Sequence, residues 1–177
     1  MTDFISISVM TKDSFLTYEN STYGIKIQYP PDWSFEEGVS TEKDTVIAIV
    51  YLYPPIAADP NAVAYLYVGT WDLDRKTKSI DLLARHAINS WRPDQDFKLI
   101  SATAQTNLAG RPAYAIVFKH LNNGFDSKTT QLGTIFDNKV YYIVFSTEAV
   151  KYDAFLPTVL KLISSFELTP MKREEIM

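Results

Sequence analysis

Histidine and cysteine, two residues that often act in catalysis, are scarce in this sequence. It has two histidines, His86 and His120, and no cysteine. The lack of cysteine excludes disulfides, thiolate zinc sites and cysteine nucleophiles. A Ser/His/Asp arrangement needs a histidine beside a nucleophile, and His86 fits better as an exposed histidine on a predicted helix. With no catalytic motif, we expect a protein that is not an enzyme; a hydrolase would need a histidine or carboxylate pair converging in a cleft.

His120 is the one histidine that could belong to a metal site. It lies just before Asn123-Gly124, and Asn-Gly between β-rich runs predicts a hairpin because both residues accept positive φ. With these two as turn residues, His120 faces Ser127 across the ladder and Asp126 is diagonal to it. A histidine and a carboxylate could hold a divalent cation (Mn, Ca or Zn), although zinc takes about four ligands. We therefore predict no required cofactor, with His120 and Asp126 as candidate cation ligands.

Carboxylates form two further pairs. Asp72 and Asp74 flank a charged connection, and Glu36-Glu37 follow Trp33. Calcium takes about six oxygens, and the sequence has no EF-hand-like spacing. We interpret both pairs as solvated loop charges.

A row of aromatic residues is the best candidate for a binding surface. It has five members: Tyr65, Tyr67 and Trp71 on one face of a predicted strand, and Tyr51 and Tyr53 on the strand before it. Aromatic side chains with polar tips are enriched at interfaces. The alternative is that the row is core, covered by the C-terminal helix or by the proline-rich loop 54–61. If exposed, Tyr65, Tyr67 and Trp71 are the predicted partner- or ligand-binding residues.

Composition narrows the class of protein. The 177 residues fit one domain, and the 14% of aromatic residues favours sheet. The net charge of −4 and the absence of a basic tract argue against nucleic acid and anionic membranes as partners. No apolar run approaches the ~20 residues of a transmembrane helix. The N-terminus lacks the pattern of a secretion signal, so we expect a soluble protein, either cytoplasmic or exported with its signal removed.

The strands and helices are predicted from the periodicity of apolar residues and from residues, such as proline, that end them. Alternating or apolar runs predict eight strands, at 15–20, 25–29, 45–53, 64–71, 97–108, 112–120, 125–136 and 140–147. One helix is predicted from Ile80 to Trp91, capped by Ser79 and ended by Pro93. A second is predicted from about Pro157 to Ser165, after a separate short turn, because Pro157 lacks a backbone donor.

This order predicts an α+β fold, in which an antiparallel sheet carries helices on its faces. The last four predicted strands, from 97–108 to 140–147, form an antiparallel meander. We place the domain at 15–168, between a lead-in arm at 1–14 and a charged tail at 169–177.

Four phrases of the sequence resemble the PsbP family in their order and spacing. They are Tyr23 to Trp33, the helix Ile80 to Trp91, the turn and strand Leu108 to Tyr114, and the hairpin Gln131 to Tyr142. The resemblance covers about Phe15 to Leu168 and implies an α/β/α sandwich with a central antiparallel sheet. It is closest to stand-alone prokaryotic members, because the chain lacks the plant transit region and basic N-terminal extension.

The resemblance implies a function without catalysis. PsbP proteins are extrinsic accessory subunits of the oxygen-evolving side of photosystem II, with weak metal sites. We therefore expect a PsbP-like accessory domain that binds a protein partner, with possible weak binding of a divalent cation. The alternative is a small-molecule or lipid carrier with a pocket between sheet and helix.

Overall fold

The computed structural model of the protein describes residues 14–39, 46–55, 64–73, 76 and 78–171. The strands are β1 Leu16–Asn20, β2 Ile25–Tyr29, β3 Ser34–Glu37, β4 Val46–Tyr53, β5 Ala64–Asp72, β6 Lys98–Leu108, β7 Arg111–Asn122, β8 Phe125–Phe136, β9 Lys139–Glu148 and β10 Glu167–Leu168. The helices are α1 Ile80–Trp91 and α2 Tyr152–Ser165. Most of the arm predicted at 1–14 and most of the tail at 169–177 lie outside the described residues.

A seven-stranded antiparallel sheet forms the centre of the domain. Its order is β3-β4-β5-β9-β8-β7-β6. After β5 the chain passes through α1 to the far edge, and the predicted meander β6 to β9 then returns strand by strand until β9 pairs with β5. The sheet therefore joins residues that are distant in sequence, with Ala64 opposite Thr147 and Asp72 opposite Lys139.

Three hairpins of the meander share one turn geometry. Their two turn residues all have positive φ: Ala109 and Gly110, Asn123 and Gly124, and Asp137 and Asn138. Such turns match the twist of the flanking strands, and they favour glycine and asparagine. The predicted Asn123-Gly124 turn is confirmed, and it places His120 opposite Ser127 as expected.

A smaller sheet brings the two ends of the domain together. Its order is β1-β2-β10, and Thr169 donates a backbone hydrogen bond to the carbonyl of Gly24 at 2.8 Å. Gly24 has φ +65°, and a Cβ there would lie 2.1 Å from the Thr169 carbonyl oxygen. Only glycine fits this crossing without displacing the backbone.

Helix α1 covers one side of the large sheet over β6, β7 and β8. It begins as predicted: Ser79 Oγ accepts a hydrogen bond from the Leu82 amide at 3.2 Å. Leu83, Ala84 and Ala87 are buried against the β7 side chains Tyr114, Ile116 and Phe118. This apolar stripe is the one that the 3-and-4 spacing predicts.

Helix α2 and the small sheet cover the other side and enclose the main core. Tyr152, Val159 and Leu162 of α2 are buried there with Ile27 of β2 and Phe145 of β9. The predicted separate turn before Pro157 is wrong, because one helix begins at Tyr152 and continues through Pro157. Burial of Tyr152 fixes the first turn, and this packing outweighs the one backbone hydrogen bond that proline removes.

These layers confirm the predicted α+β class and the α/β/α sandwich around an antiparallel sheet. Two strands were not predicted. All four residues of β3 are exposed rather than alternating between buried and exposed, and β10 has only two residues. Both form because a neighbouring strand, β4 or β2, offers them an edge.

Candidate functional site

The predicted aromatic row forms a continuous group of rings on the α1 side of the sheet. We call it the aromatic surface and define it by six residues: Tyr51, Tyr53, Tyr65, Tyr67, Trp71 and Tyr142. Tyr51 lies opposite Tyr67 in the register, and their ring centroids are 5.3 Å apart. Tyr65 lies 6.0 Å from Tyr67 along the same strand.

Tyr142 of β9 completes this surface from a strand distant in sequence. It lies opposite Gly69, and its ring occupies the space that a side chain at Gly69 would need, since a Cβ there would lie 2.3 Å from Tyr142 Cζ. The Tyr142 ring contacts Tyr67 at 5.7 Å and Trp71 at 5.0 Å. The absence of a side chain at Gly69 therefore allows the Tyr142 ring to lie between the rings of Tyr67 and Trp71.

Exposure differs across the aromatic surface. Tyr142 is 5% exposed, whereas the other five rings are half-buried. The interpretation that α2 covers the row is wrong, because α2 packs on the opposite side of the sheet. The proline-rich loop that could also cover it falls largely outside the described residues, at 56–63.

The phenols of this surface are poorly solvated. Burial, followed by the neighbouring Tyr142 and Tyr65, raises the pKa of Tyr67. Burial also raises the pKa of Tyr65, while hydrogen bonds from Ser146 and Asn122 act against it. Desolvation penalises the charged phenolate, so these hydroxyls are neutral donors and acceptors at physiological pH.

The same burial predicts sensitivity to alkali. Burial raises the pKa of Tyr142 from 10.0 to about 12, and that of Tyr18 in the main core also to about 12. Above pH ~10 the unfolded chain loses phenol protons that the folded chain keeps, so the free energy of unfolding falls as pH rises. We expect full stability below about pH 10 and a progressive loss towards about pH 12.

Urea denaturation at several alkaline pH values, with phenolate absorbance recorded in parallel, measures this loss. A denaturation midpoint that stays constant while these phenols ionise would contradict the expected linkage.

His120 lies in a buried polar network beside the aromatic surface. It is 3% exposed, and its Nδ1 is 2.9 Å from Asp94 Oδ2 while its Nε2 is 3.0 Å from Thr129 Oγ1. Thr129 Oγ1 is in turn 2.7 Å from Ser146 Oγ. Ser146 lies opposite Tyr65 in the register, so the network borders the aromatic surface.

The expected diagonal contact between His120 and Asp126 does not form. Asp126 lies opposite Leu121 in the register. Neighbouring residues of a strand point to opposite faces, so Asp126 is on the α2 side and His120 on the α1 side. A diagonal neighbour of His120 on the α1 side must lie two residues from Ser127, and Thr129 is such a residue. The hairpin register that places Thr129 beside His120 could be predicted from the sequence. Asp94 could not be predicted, because it comes from a loop and no sequence pattern places it there.

Asp94, His120 and Thr129 are connected in the order of an acid–base–nucleophile triad, yet the base His120 and the hydroxyl of Thr129 are buried. Thr129 and Ser146 are both 0% exposed. A nucleophile must reach a bound substrate within hydrogen-bond range of its base. The network fits better as a means of satisfying buried polar groups beneath the end of α1.

The other predicted candidates are separated from one another. No group of three or more His, Asp or Glu side chains in the described part of the chain could hold a metal ion. Asp72 pairs with Lys139, and Glu37 accepts a hydrogen bond from Tyr18 at 2.8 Å; Asp74 lies outside the described residues. His86 is exposed on α1 with its ring 5.9 Å from Trp71. Cation binding by His120 and Asp126 stays a prediction, and the strand register does not bring these two side chains together.

Two hollows at the surface border the outer side of α2. One of about 720 Å³ is lined by residues including Phe15, Gln28 and Lys161. The other, of about 500 Å³, lies between the Ala109-Gly110 turn and the end of α2. Neither is lined by the aromatic surface, so neither is the tyrosine- and tryptophan-lined pocket that the carrier alternative predicts.

Comparison with solved structures shows which proteins share this fold. Cyanobacterial PsbP (CyanoP) from Synechocystis sp. PCC 6803 matches with a TM-score of 0.65 at 16% identity, covering 96% of this chain and 99% of that one. LpqN of Mycobacterium tuberculosis, described as involved in cell envelope biogenesis, matches with a TM-score of 0.63 at 14% identity, covering 89% of this chain and 91% of that one. PA94 of Pseudomonas aeruginosa, a protein of unknown function, matches with a TM-score of 0.54 at 16% identity, covering 91% and 100%.

At these identities the matches establish the fold alone. No protein-family model matches the sequence, and no curated protein sequence matches it significantly. Within the described residues, no helix is long and apolar enough to cross a membrane. The chain therefore has a PsbP-like fold, which LpqN shares.

Proposed function

We propose that this chain is a non-enzymatic, PsbP-like binding domain and that the aromatic surface is where a protein partner binds. The observation that carries the proposal is the group of six rings, linked by contacts from ring to neighbouring ring, on the side of the sheet opposite the main core. Five of them keep part of their area exposed. Neither α1 nor α2 packs over Tyr51 or Tyr53 among the described contacts.

The chemistry of this surface suits protein recognition. Tyr and Trp bury large areas at interfaces, and their polar tips give directional hydrogen bonds. They also dominate the residues whose truncation costs most binding energy. The surface lies on strands braced by the Tyr142–Gly69 contact, so little side-chain freedom remains to be lost on binding.

Catalysis has less support than binding. Among the described residues, the connected acid–base group is Asp94, His120 and Thr129; His120 and Thr129 are buried, and the Thr129 hydroxyl is already bonded to His120 and Ser146. The accessory roles of PsbP proteins are consistent with a binding domain, although the shared fold does not carry a photosystem role to this chain.

The double variant Tyr65→Ala with Trp71→Ala is expected to weaken partner binding by about tenfold or more, enough to lose the partner in a capture experiment. Wild type and variant would be used to capture proteins from the source organism, with mass spectrometry of what co-purifies. Phe35→Ala is the matched control, because Phe35 is an exposed aromatic residue (48%) that packs on Tyr18 and Tyr29 instead.

Thermal unfolding of the double variant must accompany the capture. A small change in melting temperature with lost capture supports the proposal. A large drop in melting temperature would show that the row is core, and unchanged capture would refute the binding role. Native mass spectrometry of the purified protein would reveal a retained small molecule if the carrier alternative is correct.

A further inference from the structure

The basic residues of the seven-stranded sheet lie on one side only. Its five described lysines and arginines are Lys98, Arg111, Lys119, Lys128 and Lys139. Arg111 lies over the Phe136 ring and Lys128 over the Tyr152 ring, both on the α2 side. Strand alternation puts Lys119 and Lys139 on that side too, and Lys98 lies opposite Lys119. The α1 side of the described strands therefore has no basic residue.

Acidic residues do occur on the α1 side of the sheet. Glu36 lies opposite Tyr51, and Glu148 lies opposite Ser127, on the same face as His120. Glu148 is paired with Lys151 at 2.9 Å. Glu36 is exposed, and no ion pair among the described residues neutralises it. Helix α1 carries Asp81 and Arg85 and has Arg92 as its C-cap.

Glu36 lies close enough to the aromatic surface to act on it. Glu36 lies opposite Tyr51 and diagonal to Tyr53 in the register. After burial, the Glu36 carboxylate is the next cause that raises the pKa of Tyr53. At one end of the aromatic surface, tyrosine rings therefore lie beside a carboxylate that forms no ion pair with any described residue, and the strands contribute no competing cation on this side.

We propose that the partner of the aromatic surface presents a cationic segment, whose arginine or lysine side chains lie over the tyrosine rings and pair with Glu36. The negative face of an aromatic ring attracts cations, and the guanidinium group of arginine also stacks on it. The carboxylate selects the sign of the partner's charge. This inference rests on the proposed function of the aromatic surface and specifies its partner.

A synthetic peptide that alternates arginine with glycine and serine serves as the probe. Peptides with glutamine or glutamate in place of arginine are the charge controls, and intrinsic fluorescence measures binding. We expect the arginine peptide to bind wild type, and Glu36→Gln to weaken it about two- to fivefold. Increasing salt from about 0.05 to about 0.5 M should weaken it strongly, because the charges are solvent-exposed.

Asp126→Asn is the matched control, since Asp126 is an exposed carboxylate on the opposite side of the sheet. It removes the same charge and is expected to leave peptide binding unchanged. The proposal is overturned if the glutamine peptide binds as tightly as the arginine peptide, if both carboxylate variants weaken binding equally, or if no arginine peptide binds.

The two proposals fail in different ways. If partner capture depends on Tyr65 and Trp71 but no arginine peptide binds, the aromatic surface is still supported as the binding face and a cationic partner is rejected. Capture that is unaffected by the double variant would reject the aromatic surface as the binding face, whatever the peptide does.

Discussion

Replacing Phe145 with alanine is expected to lower the free energy of unfolding by about 3–5 kcal/mol. Phe145 is 1% exposed, and its ring contacts Tyr152 at 5.8 Å and Phe155 at 6.2 Å. It lies on β9, the strand that joins β5 to the meander. Truncation would leave a cavity between the large sheet and α2 that the closely packed surroundings fill only in part.

Urea denaturation followed by circular dichroism measures this loss. Leu160→Ala is the control, because Leu160 is on the same helix as Tyr152 but is 52% exposed. We expect the control to change stability by no more than about 0.5 kcal/mol. A loss below about 1 kcal/mol for Phe145→Ala would mean that α2 is not firmly packed on β9.

Local sequence signals predicted the elements that are stabilised by near neighbours. Helix α1 begins and ends where Ser79 and Pro93 predict, since capping and the missing proline donor act within one turn. The Asn123-Gly124 hairpin likewise depends on the φ preferences of two adjacent residues. From this turn, β7 and β8 pair along their length without a register shift.

Elements that depend on distant partners were harder to predict. Strand β10 exists because β2, far away in sequence, offers it an edge. The first turn of α2 forms despite Pro157 because Tyr152 is buried in the main core. No local pattern contains these contacts, because burial in a core is decided by the whole fold.

The candidate site shows the same division. Alternation along β5 was enough to place Tyr65, Tyr67 and Trp71 on one face. Tyr142 could not be assigned to the group without knowing that β9 pairs with β5. Which side of the sheet α2 covers, and hence whether the row is core or surface, was likewise a property of the topology.

Replacing Gly69 with alanine is expected to lower the free energy of unfolding by about 1–3 kcal/mol and to disrupt the aromatic surface. The new Cβ would lie 2.3 Å from Tyr142 Cζ and 2.4 Å from its hydroxyl oxygen. The Tyr142 ring cannot move aside freely, because it is 5% exposed and packs on Tyr67 and Trp71. Alanine's lower chain entropy in the unfolded state offsets only part of this cost.

Gly133→Ala is a closely matched control for the effect on binding. Gly133 lies next to Tyr114 as Gly69 lies next to Tyr142, and a Cβ there would lie 2.5 Å from the Tyr114 ring. That ring packs beneath α1, outside the aromatic surface. Gly133 also lies opposite Tyr142 in the register, but the atoms nearest its added Cβ belong to Tyr114. We expect both variants to lose stability, and only Gly69→Ala to lose partner capture and peptide binding.

A double-mutant cycle tests whether the clash with Tyr142 is the cause. If it is, Gly69→Ala should cost less when Tyr142 is also alanine, with an interaction energy of about 1 kcal/mol. Additive losses would locate the damage in the backbone of β5 instead. Equal loss of binding in Gly69→Ala and Gly133→Ala would show that binding follows the stability of the whole sheet, since the Gly69 clash is with Tyr142 of the aromatic surface and the Gly133 clash is with Tyr114 outside it.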